Sequence, residues 1–134
     1  MAQLKALPAT EGYGGWKNRV GTIVGPDLYK GVTIDYLMGL VGGGTAITVV
    51  ASDNYELEFD EDAVNGLVTM YDPITGNEIT DIDGELTMIL TYSVNGDPLP
   101  SENGALRIGF VSPVNDHVTY SGNWAKLVAR IEVH

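Results

Sequence analysis

Leu86-Thr87-Met88-Ile89-Leu90-Thr91-Tyr92-Ser93-Val94-Asn95-Gly96 decides how the rest of the chain is read. From Leu86 to Val94 it holds no glycine, proline or charge and is rich in aliphatic, β-branched and aromatic side chains, the composition of a pleated, buried strand. Asn95-Gly96 then supplies the two residues that most readily take a positive φ, so the strand ends in a tight turn. Downstream, Leu106–Val111 and Ala125–Val133 read as further strands of the same kind. Upstream, Ala46–Ala51 is β-branched and reads as buried. In the following segment Tyr55, Leu57 and Phe59 alternate with Glu56 and Glu58, which gives a strand with one wet face. Ser52-Asp53-Asn54 between these two makes them a β-hairpin.

Toward the N-terminus the pattern changes. Glu11-Gly12-Tyr13-Gly14-Gly15-Trp16 reads as a glycine-rich aromatic loop, Arg19–Val24 as a short strand and Gly25-Pro26-Asp27 as a turn. One helix is expected from about Thr33 to Val41. Thr33 caps it, Ile34, Leu37, Met38 and Val41 form an apolar stripe at i, i+3, i+4 and i+7, and Gly42-Gly43-Gly44 ends it. Glu61–Leu67 reads as a helical turn or loop, Val68–Tyr71 as a strand and Asp72–Asn77 as a turn. The expectation is one β-rich α+β domain over residues 1–134, with mainly antiparallel sheets, seven or eight strands and one or two short helices.

Composition narrows the function. With 18 acidic residues against 7 basic ones and a net charge of −11, the chain repels phosphate backbones and anionic lipid, so no nucleic acid and no membrane partner is expected. The absence of cysteine excludes disulfides, thiolate metal ligands and a cysteine nucleophile. No apolar run approaches the ~18 residues of a membrane helix. The acidic, lysine-poor composition, with a start that reads as a trimmed leader, suits a secreted or cell-surface domain.

Four segments resemble, in order and spacing, the oxidoreductase molybdopterin-binding domain of the sulfite oxidase family. They are Tyr29-Lys30-Gly31-Val32-Thr33-Ile34-Asp35-Tyr36-Leu37, Val49-Val50-Ala51-Ser52-Asp53-Asn54-Tyr55, the stretch from Ile89 through Asn95-Gly96-Asp97-Pro98-Leu99-Pro100 to Arg107-Ile108, and Asn123-Trp124-Ala125-Lys126 running on to Val133. The resemblance covers about Tyr13 to Val133, nearly the whole chain. The resemblance implies a mixed α+β domain that carries a pterin between loops. It also implies a molybdenum-ligating cysteine, in a loop corresponding to about Thr10–Trp16, where this chain has none. A soft thiolate has no substitute in Thr10 or Glu11, so molybdenum is not expected. The lysine that precedes tryptophan in the family is Asn123 here, one positive charge fewer for a phosphate.

A planar anion needs cations and flat rings. Arg19, beside the N-terminal aromatic loop, and Arg107, on the resembling strand, are the cationic candidates. Tyr13, Trp16 and Trp124 are the aromatic ones, with Tyr29 and Tyr55 as further rings of the same kind. The competing structural reading pairs Arg107 with a carboxylate such as Glu102 to support the sheet, and lets the rings close the edge of a small core. Asp81-x-Asp83-Gly84-Glu85 and Asp60-Glu61-Asp62 lack the spacing of a calcium loop and read as solvated turns. His117 reads as an exposed loop histidine. Ser112 and Asp116 lie near it without a nucleophile-elbow motif, so no catalytic residue and no metal ligand is named. The leading expectation is a non-catalytic domain binding a pterin-like or other small anionic ligand. One alternative is an interaction module on the same fold, with an unnamed protein partner. The other is an oxidoreductase holding molybdenum or tungsten without a protein thiolate.

Overall fold

The computed structural model describes residues 6–66, 68–79, 86–100, 106–113 and 117–134. The decisive stretch forms β7 of a larger sheet; in chain order the strands are β1 (Thr10–Lys17), β2 (Ile23–Thr33), β3 (Ile47–Ala51), β4 (Glu56–Phe59), β5 (Met70–Tyr71), β6 (Glu78–Ile79), β7 (Thr87–Val94), β8 (Asp97–Pro98), β9 (Arg107–Val111), β10 (Val118–Tyr120) and β11 (Val128–Val133). Two short helices, α1 (Ile34–Leu40) and α2 (Glu61–Val64), complete the described elements with a 3-10 turn at Ser121–Asn123.

The larger sheet runs β6-β5-β10-β1-β2-β7-β8, with β9 also on β7; the smaller runs β11-β3-β4. Among the described residues every ladder is antiparallel except β1–β10. The larger sheet curls on itself. Tyr13 N–H donates to Ser112 O at 2.7 Å and Ser112 N–H to Tyr13 O at 3.0 Å, which brings the end of β9 back to β1. The architecture is therefore a β-rich α+β fold with a curled, mixed sheet.

Alternation along β7 divides the core. Met88 and Leu90 face the apolar cluster made with Ile34 and Met38 of α1, Ile47, Val49 and Phe59 of the small sheet, and Ile108 and Phe110 of β9. Ile89 faces the other way, into a cluster with Tyr29, Val111 and Trp124. Burial on both faces is why this strand reads as a continuous apolar run rather than an alternation.

The hairpin β3–β4 and the turn at Asn95-Gly96 match the reading of the sequence; Asn95 and Gly96 have φ of 51° and 85°. The helix is also where expected, with Thr33 Oγ1 accepting from Tyr36 N–H at 3.1 Å. Its stripe is shorter than expected. Ile34 and Met38 are buried, but Val41 is 67% exposed, because the helix stops at Leu40 before the next turn can carry Val41 back to the sheet.

Three expectations change near the N-terminus. The glycine-aromatic segment is not a loop but β1, and Arg19–Val24 is largely the tight turn closed by Asn18 N–H to Thr22 O at 2.9 Å. Gly25-Pro26-Asp27 lies inside β2. Glycine belongs in β1 for a steric reason: a Cβ on Gly14 would lie 2.5 Å from Phe110 O and 2.9 Å from Trp124 Cη2. The turn at Asp72 is as expected, its carboxylate accepting from Ile74 and Thr75 N–H at 2.7 and 3.0 Å. Those backbone donors hold the Asp72 carboxyl below its ordinary range, that of Thr75 foremost. Asp81, Asp83, Glu102 and Asp116 lie outside the described residues.

Candidate functional site

Trp124 organises the site. It follows the 3-10 turn and is 2% exposed, with Nε1 donating to Thr119 Oγ1 at 2.6 Å. Its ring slots between two strands at Gly14 and Gly109; a Cβ on Gly109 would lie 2.9 Å from Cζ3. Trp16 and Tyr29 pack on it with ring centroids 5.2 and 4.9 Å away.

Arg107, the first residue of β9, completes this stack. It is 7% exposed, its guanidinium carbon lies 4.1 Å from the Trp16 ring centroid, and its Nε donates to Trp124 O at 3.0 Å. Stacking of a planar, weakly hydrated guanidinium on an indole allows a charge to be held where water is scarce. Burial raises the Tyr29 hydroxyl to about 12; the Arg107 charge pulls against that rise and Asp27 adds to it.

Arg107 and Trp124 both line a cleft of about 440 Å³, a size suited to a small-molecule ligand. Its other walls are Val49, Ala51, Asp53, Tyr55 and Leu57 of the β3–β4 hairpin and the segment Ser121–Leu127, including Lys126. Hydrogen bonds fix that segment at both ends. Ile108 N–H donates to Ala125 O at 2.8 Å, and Ser52 N–H to Leu127 O at 2.8 Å. Leu127 takes a φ of 57°, a left-handed conformation uncommon for a branched side chain and often associated with binding sites.

Of the five residues expected from the sequence, the structure places Arg107 and Trp124 on the cleft wall. Trp16 is half-buried one layer behind, against Arg107 and Trp124. Tyr13 sits half-buried in β1, engaged by its backbone with Ser112, and does not line the cleft. Arg19 is exposed in the turn before β2 and does not line it either. Tyr55 and Lys126 do line it and were not among the five. Tyr55 was legible as one ring among several. Lys126 was legible only as a cation two residues past the conspicuous tryptophan.

His117 corrects an expectation: it is buried at 3% exposure, with Nδ1 3.4 Å from Ser112 Oγ. Strand β10 begins at the next residue, so His117 is carried into the sheet rather than left on a loop. Neither His117 nor Ser112 lines the cleft. A second concavity of about 400 Å³ brings Lys30 together with the carboxylates of Glu11 and Asp97, a mixed surface with no cationic excess.

The residues present do not fit molybdenum held by a protein thiolate. The chain has no cysteine, and the Thr10–Trp16 stretch that the family resemblance assigns to the ligating loop is a strand, with Glu11 standing opposite Lys30 in the ladder. Among the described residues there is also no group of three metal-ligating side chains, and no helix is long and apolar enough to cross a membrane. No protein-family model matches the chain, and no curated protein matches it.

Proposed function

We propose that this chain is a non-catalytic binding domain for a small planar anion of the pterin class, built on a sulfite-oxidase-like fold from which the metal ligand is missing. One observation carries the reading. Three of the four segments on which the family resemblance rests converge on one cleft. Asp53 and Tyr55 come from the second, Arg107 from the third, and Trp124, Ala125 and Lys126 from the fourth. The first segment supports them from behind, through Tyr29 against Trp124. Segments so far apart in sequence have no local reason to meet.

The cleft's chemistry supports the same ligand class. Val49, Leu57 and Trp124 supply apolar wall, and Arg107 and Lys126 outnumber the one carboxylate among the described lining residues, Asp53, in a molecule whose net charge is −11. Elsewhere that charge repels an anion, so a cationic cleft is where one is drawn. With no thiolate for a metal, and with no histidine among the described lining residues to activate the Ser121 or Tyr55 hydroxyl, the reading is binding without turnover.

Titration of the folded chain with pterin, followed by quenching of its two tryptophans, tests this. Saturable quenching is expected, with a shift of the emission because Trp124 lines the cleft. No saturable change up to millimolar pterin would refute the reading. A protein-interaction role has one observation in its favour, the exposed Tyr36 and Leu40 of α1 with Val41 just after it. They lie outside the cleft, so the two readings are separable by mutation.

A further inference from the structure

We propose that Tyr55 and Lys126 form the mouth of the cleft and select a flat heterocycle bearing one anionic group. The ring stacks on Tyr55 and the anion meets Lys126. This rests on the binding reading above and sharpens it to a ligand shape and charge.

Tyr55 is 64% exposed, although its neighbours on the same face of the hairpin, Leu57 and Phe59, turn inward. It stands just before β4, beyond the pairing of Val50 with Glu56, so the sheet does not cover it. The backbone holds it there. Asp53 Oδ1 accepts from Tyr55 N–H at 3.2 Å, Ala51 N–H donates to Tyr55 O at 2.8 Å, and Asn54 takes the turn at φ 69°. A fixed ring left at the rim of an apolar cleft is an unused stacking face.

Lys126 lines the same cleft from the Ser121–Leu127 segment and is exposed. Among the described residues it has no hydrogen-bonding or ion-pairing partner. The two backbone bonds at Ala125 and Leu127 bracket it, so its backbone is anchored while its side chain is exposed to solvent. A hydrated ammonium acts as a point charge and accepts any anion, whereas a bidentate guanidinium would favour a planar fork. Phosphate ester and carboxylate are therefore both admitted, and a neutral ring lacks the contact.

The test uses the whole chain and three probes: 6-hydroxymethylpterin, its phosphate ester, and pterin-6-carboxylate. Each is titrated against the parent protein, Lys126→Ala and Tyr55→Ala, both exposed positions whose replacement leaves the core intact, with folding checked by circular dichroism. Both anionic probes are expected to bind roughly tenfold more tightly than the neutral one, in line with a close charge contact of about 1–2 kcal/mol. Lys126→Ala removes that preference and leaves the neutral probe unchanged. Tyr55→Ala weakens all three by a similar factor, on the order of tenfold, as loss of a stacking face does. A preference for the phosphate ester over the carboxylate would identify the phosphate as the natural anion and keep the proposal. Equal affinity for charged and neutral probes, or a preference that survives Lys126→Ala, would overturn it while leaving the binding reading standing. If none of the three binds, the binding reading falls as well.

Discussion

Tyr29 is the residue at which burial is most directly measurable. Its hydroxyl is raised to about 12 chiefly by desolvation. The neutral form is the one the fold favours. That stabilisation is whole below pH ~10, where the free phenol titrates, and is lost as pH rises through the folded value. Alkaline spectrophotometric titration should therefore find one of the seven tyrosines ionising near 12, with stability falling as the pH approaches that value. Asp72 works in the opposite sense: its carboxylate is held low by Thr75 and Ile74 amides, so the turn it caps is fully formed above pH ~4 and loosens as acid protonates it. Gly14 gives the second prediction at this scale. Gly14→Ala should destabilise the fold by about 1–3 kcal/mol in urea denaturation, the usual range for forcing extra volume into a packed site. The cause is the Cβ placed 2.5 Å from Phe110 O. Arg107→Lys keeps the charge but not the planar stack on Trp16 or the Nε bond to Trp124 O. Its cost should be about 1.5–3 kcal/mol, the range for a hydrogen bond that involves a charged group.

Among the elements, those with strong local signals were legible and those made by tertiary packing were not. β7, the β3–β4 hairpin and α1 each carry their own signal: an unbroken apolar run, a clean alternation, a threonine cap. Thr33→Ala should accordingly cost about 1 kcal/mol of stability, with thermal unfolding as the measure. β1 was illegible because its glycines answer to close neighbours, Val111 at Gly12, Phe110 and Trp124 at Gly14 and Val24 O at Gly15, not to the freedom of a loop; local composition cannot tell the two apart. β8 and β10 are two and three residues long, too short to display a period. His117 was misread for a similar reason, since its polar neighbours suggest a loop while the sheet buries it.

For the molecule as a whole, sequence and structure contribute different halves of the candidate site. The chain showed which side chains are able to serve a flat anion, and Arg107 and Trp124 proved to share a wall. It did not show that Trp16 backs the Arg107 guanidinium, that Arg19 is carried away on a turn, or that Lys126 and Tyr55 face one space. Those facts depend on how the curled sheet meets the small one. The central claim is that this meeting place holds a pterin-class anion without metal. Native mass spectrometry of the chain produced in a host that makes molybdopterin tests it most directly. The account predicts a bound mass matching a pterin, with occupancy reduced in Lys126→Ala and Tyr55→Ala, and no molybdenum or tungsten in the complex. A bare polypeptide mass at every protein concentration, or a metal bound in stoichiometric amount, would contradict it.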